Sequence, residues 1–342
     1  MEKKMVLEFL WYCVICASVV FFTILDGFDL GVGMLHPFAK TDRDRRIFLN
    51  AIGPVWDGNE VWLIIIGGAL FAGFPLAYAT LCSAFYTPIM ILLAGIIFRA
   101  VAIEFRSKME SLSWRFFWDG VFSFGSYVIA FVIGVLLANL VQGIPLDGET
   151  NFTGTFLGFF SPYSILLGCT SIALFMMHGS IYLLMKTEGE LHDRLRGWVM
   201  NTMIGFMIFY FLLTMSTLIY NHYMADRMRE YPFLIVIAVV ALLLIANIPR
   251  QIYKGNDGWA FLSSCGSITL LFGLFGLGYF PHLILSSTNP DYSITLFNSA
   301  SSELTLTVIL TIACIGVPIV LLYGYYIYRV FRGKVRLDDH SY

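Results

Sequence analysis

The stretch VLEFLWYCVICASVVFFTILDGF, residues 6–28, decides how this chain folds. It is continuously apolar apart from Glu8 and a few hydroxyls, and then it runs into Asp26. A helix that crosses a bilayer needs about 20 such residues, and an unbroken run without period-two alternation suits a helix rather than a barrel strand. Eight more stretches of the same kind follow, at 50–74, 76–98, 117–140, 162–185, 198–220, 232–252, 260–281 and 303–328. The expectation is an all-α, polytopic integral membrane protein with nine transmembrane helices.

Composition agrees. Of 342 residues, 58% are hydrophobic and 13% charged, against about 25% charged in a soluble domain. Too little polar surface remains to cover a water-soluble globule. A disordered chain, a secreted disulfide scaffold and a nucleic-acid binder are excluded. The first stretch is too long for a signal-peptide core and lacks an A-x-A-like site, so it is expected to stay as a span. The chain reads as a single membrane domain, 1–342. Within it, 1–141 suggests one four-helix bundle, 161–282 a second, and 303–331 a ninth helix.

Lys and Arg set the direction. Of the 21, 17 fall in alternate connections, among them Arg43, Arg45, Arg46, Arg106, Arg115, Lys186, Arg194 and the tail Arg329, Arg332, Lys334 and Arg336. By the positive-inside rule the N-terminus lies outside and the C-terminus is cytoplasmic.

In such a chain the informative residues are the ionisable ones at membrane depth. Asp26-Gly-Phe-Asp29 ends the first span, and Trp56-Asp57-Gly-Asn59-Glu60-Val-Trp62 begins the second. In each, two acids three residues apart share a helix face. The two helices are consecutive and antiparallel, so all four carboxyls are expected to converge on one internal patch suited to passing protons. The plainer reading makes them helix-end residues, with Asp57 and Glu60 favoured by the dipole of a helix N-terminus. Arg99 and Glu104, beside Arg106, are expected to form a structural ion pair at the end of the third span.

The histidines argue against haem or metal here. His36, His192 and His340 lie in cytoplasmic connections or the tail, and His222 and His282 lie at outer helix ends. Only His178 is inside a span, where a packed polar role is expected; a bis-His haem would need a second at matched depth. Cys13-x-x-Cys16 lies within an apolar helix and reads as packing, not redox chemistry. Gly273, Gly276 and Gly278 are expected to allow close helix contact. No Walker A, G-x-S-x-G or H-E-x-x-H motif is present.

The acidic stretches resemble subunit II of cytochrome bd-type quinol oxidases. The likeness rests on Asp26-Gly-Phe-Asp-Leu-Gly-Val-Gly33 and Gly53-Pro-Val-Trp-Asp-Gly-Asn-Glu-Val-Trp62. It extends to Phe98-Arg-Ala-Val-Ala-Ile-Glu-Phe-Arg106, Lys186-Thr-Glu-Gly-Glu190 and Pro290-Asp-Tyr-Ser-Ile-Thr-Leu-Phe-Asn-Ser-Ala-Ser-Ser302. Glu60 stands where many members carry Gln. The resemblance implies a respiratory complex in a prokaryotic inner membrane that oxidises quinol and reduces dioxygen to water without proton pumping. Haems b558, b595 and d are then expected in a homologous subunit I, with none ligated by this chain. It further implies a proton path from the cytoplasm through the acids at Asp57 and Asp26, and by their placement Glu60 and Asp29 are expected as neighbours on it. Some members hold a structural quinone in this subunit, and single-helix accessory subunits occur. The alternative from the residues alone is a proton-coupled secondary transporter, although such proteins tend to place their site at the midplane between two repeats.

Overall fold

The computed structural model describes residues 2–337, so His340 lies outside the described part. The chain is built of helices α1 (Glu2–Leu35), α2 (Asp42–Ile52), α3 (Trp56–Gly73), α4 (Pro75–Ala84), α5 (Tyr86–Arg106), α6 (Leu112–Gln142), α7 (Pro162–Lys186) and α8 (Gly189–Tyr220). There follow α9 (His222–Glu230), α10 (Phe233–Tyr253), α11 (Asp257–Tyr279), a short antiparallel pair β1 (His282–Ile284) and β2 (Ile294–Thr295), α12 (Leu296–Ser299) and α13 (Glu303–Val330). Among the described residues, eight helices are long and apolar enough to cross a membrane. The pair α2–α3, bent by 48°, makes one further span when taken together. This is a multi-pass membrane protein.

The third span differs from the sequence expectation. It was expected over 76–98, but α4 ends at Ala84 and the long helix is α5, Tyr86–Arg106. Pro88 supplies the reason. Its ring would meet the carbonyl of Ala84 and its nitrogen cannot donate to it, so a helix running through 84 breaks just there. Apolar content is the same on both sides of the break, and hydropathy is blind to it. The shift moves Arg99 from the edge of the span to two turns inside it. Gly53-Pro54 separates α2 from α3 in the same way.

Helix α7 is buried along most of its length, and α1 crosses it while also packing on α3, α6 and α11. The α1–α7 crossing is at Gly31 and Gly179. A Cβ on Gly179 would sit 2.6 Å from the Gly31 backbone, and one on Gly31 would collide with the Phe175 carbonyl, so only glycine allows this approach. Of the glycines expected to mediate close contact in α11, Gly273 faces open space, and Gly276 meets Cys16 side-on. The outward faces of α3, α8, α10 and α13 are apolar, with Ile64, Phe211, Leu243 and Leu322 all exposed. Opposite the Lys/Arg-rich end, the connections 143–161 and 280–302 form a cap. There Ile144 bridges to Ser286, and Leu146, Ile284, Ile294 and Leu296 are buried beneath.

Candidate functional site

On α1, Asp26 and Asp29 are three residues apart and both buried, on the face turned toward α3 and α5. Arg99, fully buried on α5, reaches both helices. Its Nη2 donates to Asp26 Oδ1 at 2.5 Å and lies 2.9 Å from Glu60 Oε1 on α3. Asn59, one residue before Glu60, donates through Nδ2 to Asp29 Oδ2 at 2.8 Å and accepts at Oδ1 from the Tyr328 hydroxyl of α13 at 2.9 Å. Four helices thus meet in one polar cluster within an otherwise apolar bundle.

The cluster holds three carboxyls and one guanidinium. Arg99 Nε and Nη1 and Asp29 Oδ1 have no hydrogen-bond partner among the described residues, so hydrogen-bonding capacity is left inside it. A buried group of acids outnumbering cations is the composition expected of a proton-holding site rather than of a neutralised strut.

Two expectations are corrected here. The four acids do not all converge: Asp26, Asp29 and Glu60 do, whereas Asp57 is exposed on the outer side of α3. Asn59 points inward, and Asp57, two residues earlier, lies about 200° around the helix from it. Glu60, about 100° from Asn59, lies at the flank and reaches Arg99 from there. The Arg99–Glu104 ion pair gives way to the pairing of Arg99 with Asp26 and Glu60. Five residues separate 99 from 104, about 140° around the helix, so Arg99 is enclosed while Glu104 is exposed.

A second ionic network lies closer to the Lys/Arg-rich end, and sequence reasoning missed it. Asp119 of α6 accepts from Arg106 Nε at 2.5 Å, from Arg45 at 3.3 Å, and faces His36 Nε2 at 2.6 Å. Arg106 also meets Asp42 at 2.6 Å, and Arg115 meets the same carboxylate at 3.0 Å. Arg194 binds Asp44 at 2.7 Å and ties α8 to α2. The available signal was Asp119 itself, an acid within the span expected over 117–140.

Each histidine with a described side chain has a protein partner. His178 uses both ring nitrogens, toward Ser264 Oγ at 2.8 Å and the Ile24 carbonyl at 2.9 Å, and stacks on Phe261. This is the packed polar role expected for it. His36 is enclosed with Phe48 and Phe122 beside Asp119, His192 faces Asp257, and His282 faces the Tyr223 hydroxyl. An axial ligand needs a ring nitrogen free to face the macrocycle, and His178, the one inside a span, has neither free. The described residues also contain no group of three or more His, Cys, Asp or Glu placed to hold a metal ion. Cys13 and Cys16 are free thiols.

Comparison with known proteins agrees with this architecture. The family profile for cytochrome bd terminal oxidase subunit II matches residues 7–331. The chain is 35% identical to subunit 2 of the cytochrome bd-I ubiquinol oxidase of Escherichia coli (strain K12), over 98% of this chain and 96% of that one. It is likewise 35% identical to cytochrome bd ubiquinol oxidase subunit 2 of Bacillus subtilis (strain 168), over 95% of this chain and 96% of that one. A chain in the structure of bd oxidase from Geobacillus thermodenitrificans shares the fold, with a TM-score of 0.81 at 16% identity, covering 95% of this chain and 98% of that one. With a full-length profile match and relatives of this identity, the chain belongs to the cytochrome bd terminal oxidase subunit II family.

Proposed function

We propose that this chain is the non-haem-ligating subunit II of a terminal quinol oxidase in a prokaryotic inner membrane, and that it carries protons from the cytoplasm for dioxygen reduction to water. In this reading it has nine spans, with the N-terminus outside and the C-terminus cytoplasmic. α1, α3, α5 and α6 form one four-helix group, α7, α8, α10 and α11 a second, and α13 stands apart. Its partner is a homologous subunit I that carries haems b558, b595 and d and oxidises quinol. A single-helix accessory subunit completes some such complexes.

The observation that carries this reading is the set of buried Asp26 and Asp29 and half-buried Glu60 around Arg99 and Asn59. It lies toward the end rich in Lys and Arg, where cytoplasmic protons would be taken up. Asp57 sits one turn from Glu60 on the exposed side of α3, beside the apolar Ile64 face that a partner helix would cover. The buried acids therefore hold the proton and Asp57 relays it toward the partner subunit. No step in this chain requires it to bind haem.

An apolar cleft of about 250 Å³ among α6, α7, α8, α10 and α11, lined by Leu167, Phe206, Leu213, Leu271 and Phe275, suits the tail of a structural quinone. The hydroxyl pair Tyr163–Thr217, at 2.9 Å, would meet a polar group there.

Replacing Asp57 by Asn is expected to lower oxidase turnover by about 100-fold or more, the scale of losing a positioned proton-transfer group, with assembly and haem content intact. Oxygen consumption per haem in the purified complex measures it, and unchanged turnover removes Asp57 from the path. A proton-coupled transporter is the competing reading. A reduced-minus-oxidised spectrum of the chain purified with its native partners separates the two, because a transporter would show no haem.

A further inference from the structure

Beyond the acid cluster, the C-terminal segment after α13 folds back under the end of α7 and encloses a second cavity of about 380 Å³. Three hydrogen bonds hold it there: Val335 N–H to the Lys186 carbonyl at 2.9 Å, Lys186 Nζ to the Phe331 carbonyl at 2.7 Å, and Lys334 Nζ to the Leu184 carbonyl at 3.4 Å. Lys186, Arg332, Lys334 and Arg336 line this space, and among the described residues no carboxylate lines it. Lys186 is only 9% exposed, and its ammonium finds a carbonyl and the face of Tyr182 at 5.7 Å. A buried cation held without a counter-ion among the described residues, beside three further cations, is a poor arrangement unless an anion completes it.

The level of the cavity narrows the class of anion. Tyr323, Tyr325 and Tyr326 are exposed on α13 one to two turns before it, and Trp259 is exposed at the start of α11 at the same end. Such aromatic residues mark the membrane–water interface, and basic pockets at helix ends there match anionic headgroups. We propose that this cavity is a binding site for a phosphate group carried by an anionic phospholipid or by a soluble phosphate compound. Lys186 supplies the inner charge, and Arg332, Lys334 and Arg336 close around the outside. The proposal is independent of any role of the acid cluster.

The test uses the chain purified with its native partners in detergent, with native mass spectrometry counting bound phosphatidylglycerol against phosphatidylcholine. The comparison variant is Arg332→Gln/Lys334→Gln/Arg336→Gln. Each interfacial cation is worth about five-fold in affinity, so the wild type should retain one phosphatidylglycerol that the variant binds roughly a hundred-fold more weakly. Phosphatidylcholine should show no such difference. If the triple variant fails to assemble, Arg332→Gln/Arg336→Gln leaves the Lys334 and Lys186 contacts in place and should weaken binding roughly 25-fold. Inorganic phosphate titrated against the retained lipid identifies the source. Displacement at millimolar phosphate points to a soluble phosphate compound, and resistance points to the lipid. Equal retention of phosphatidylglycerol by wild type and variants, with no binding or competition by phosphate, overturns the proposal.

Discussion

Two arginines on one face of α5 anchor two ionic networks of opposite character. Arg99 and Arg106 are seven residues apart, which returns a helix to nearly the same face about 10 Å further along. Arg99 serves Asp26 and Glu60, with Asp29 held next to them by Asn59, so acids outnumber the cation. Around Arg106 the balance reverses: Arg45, Arg106 and Arg115, with His36, surround Asp42 and Asp119. In the deeper network carboxylates exceed the one cation, whereas in the other every carboxylate is paired with arginine, and the pairs join the end of α1 to α2, α5 and α6. Position on a helix face brings arginine to both places, and the count of acids around it sets the charge balance of each network.

Arg99→Met tests the deep network most severely. It strands buried carboxylates without a cation, and a loss of about 3–5 kcal/mol is expected, seen as failed assembly or a sharply lower Tm of the complex. Adding Asp26→Asn and Glu60→Gln to the same chain should recover much of the assembly, because the stranded charge is then gone. If the single variant is as stable as wild type, Arg99 is not the electrostatic centre.

Asp119→Asn breaks the Arg106 network instead. A loss of about 2–3 kcal/mol is expected from several charge-assisted hydrogen bonds. Turnover per haem in the complex that survives should equal wild type. A fall in turnover with unchanged stability would erase the distinction between the two networks.

Gly31→Ala probes the helix crossing that brings Asp29 to its depth. Overpacking against the Phe175 carbonyl and Gly179 should cost about 1–3 kcal/mol, read as a lower Tm, whereas Gly273→Ala, facing open space, should be silent.

The smallest effect is expected at the opposite end. Burial pushes the His282 imidazole below its ordinary value near 6.5, beside the Tyr223 hydroxyl at 3.0 Å. The unfolded chain therefore binds the extra proton first as pH falls. Stability contributed by neutral His282 is present above about 6.5 and is lost on acidification toward its lower folded value. A slightly lower Tm at pH 5 than at pH 7.5, with the difference reduced in His282→Gln, is the expected outcome.

Much of the candidate site was legible in the sequence because charge is scarce in this chain. Asp26, Asp29 and Glu60 stand out against long apolar runs, and all three do meet. Asn59 belongs to the same motif as Glu60, yet only folding brings it to Tyr328, 269 residues away. Asp119 was hidden by lying within the expected span without a neighbouring acid, so nothing local marked its partners.

By itself the sequence determined the class of the molecule, an all-α membrane protein, and its family, because hydropathy and motif order are local properties that survive without coordinates. The tertiary structure decided three other matters. Pro88 moved the third span by about ten residues and carried Arg99 into the bundle. Helix rotation turned Asp57 outward while Glu60 stayed in reach of Arg99. Packing of α7 against the returning tail placed Lys186 among cations. Each depends on which face of a helix meets which neighbour, and a face angle of 100° per residue magnifies a small error in register into a wrong partner.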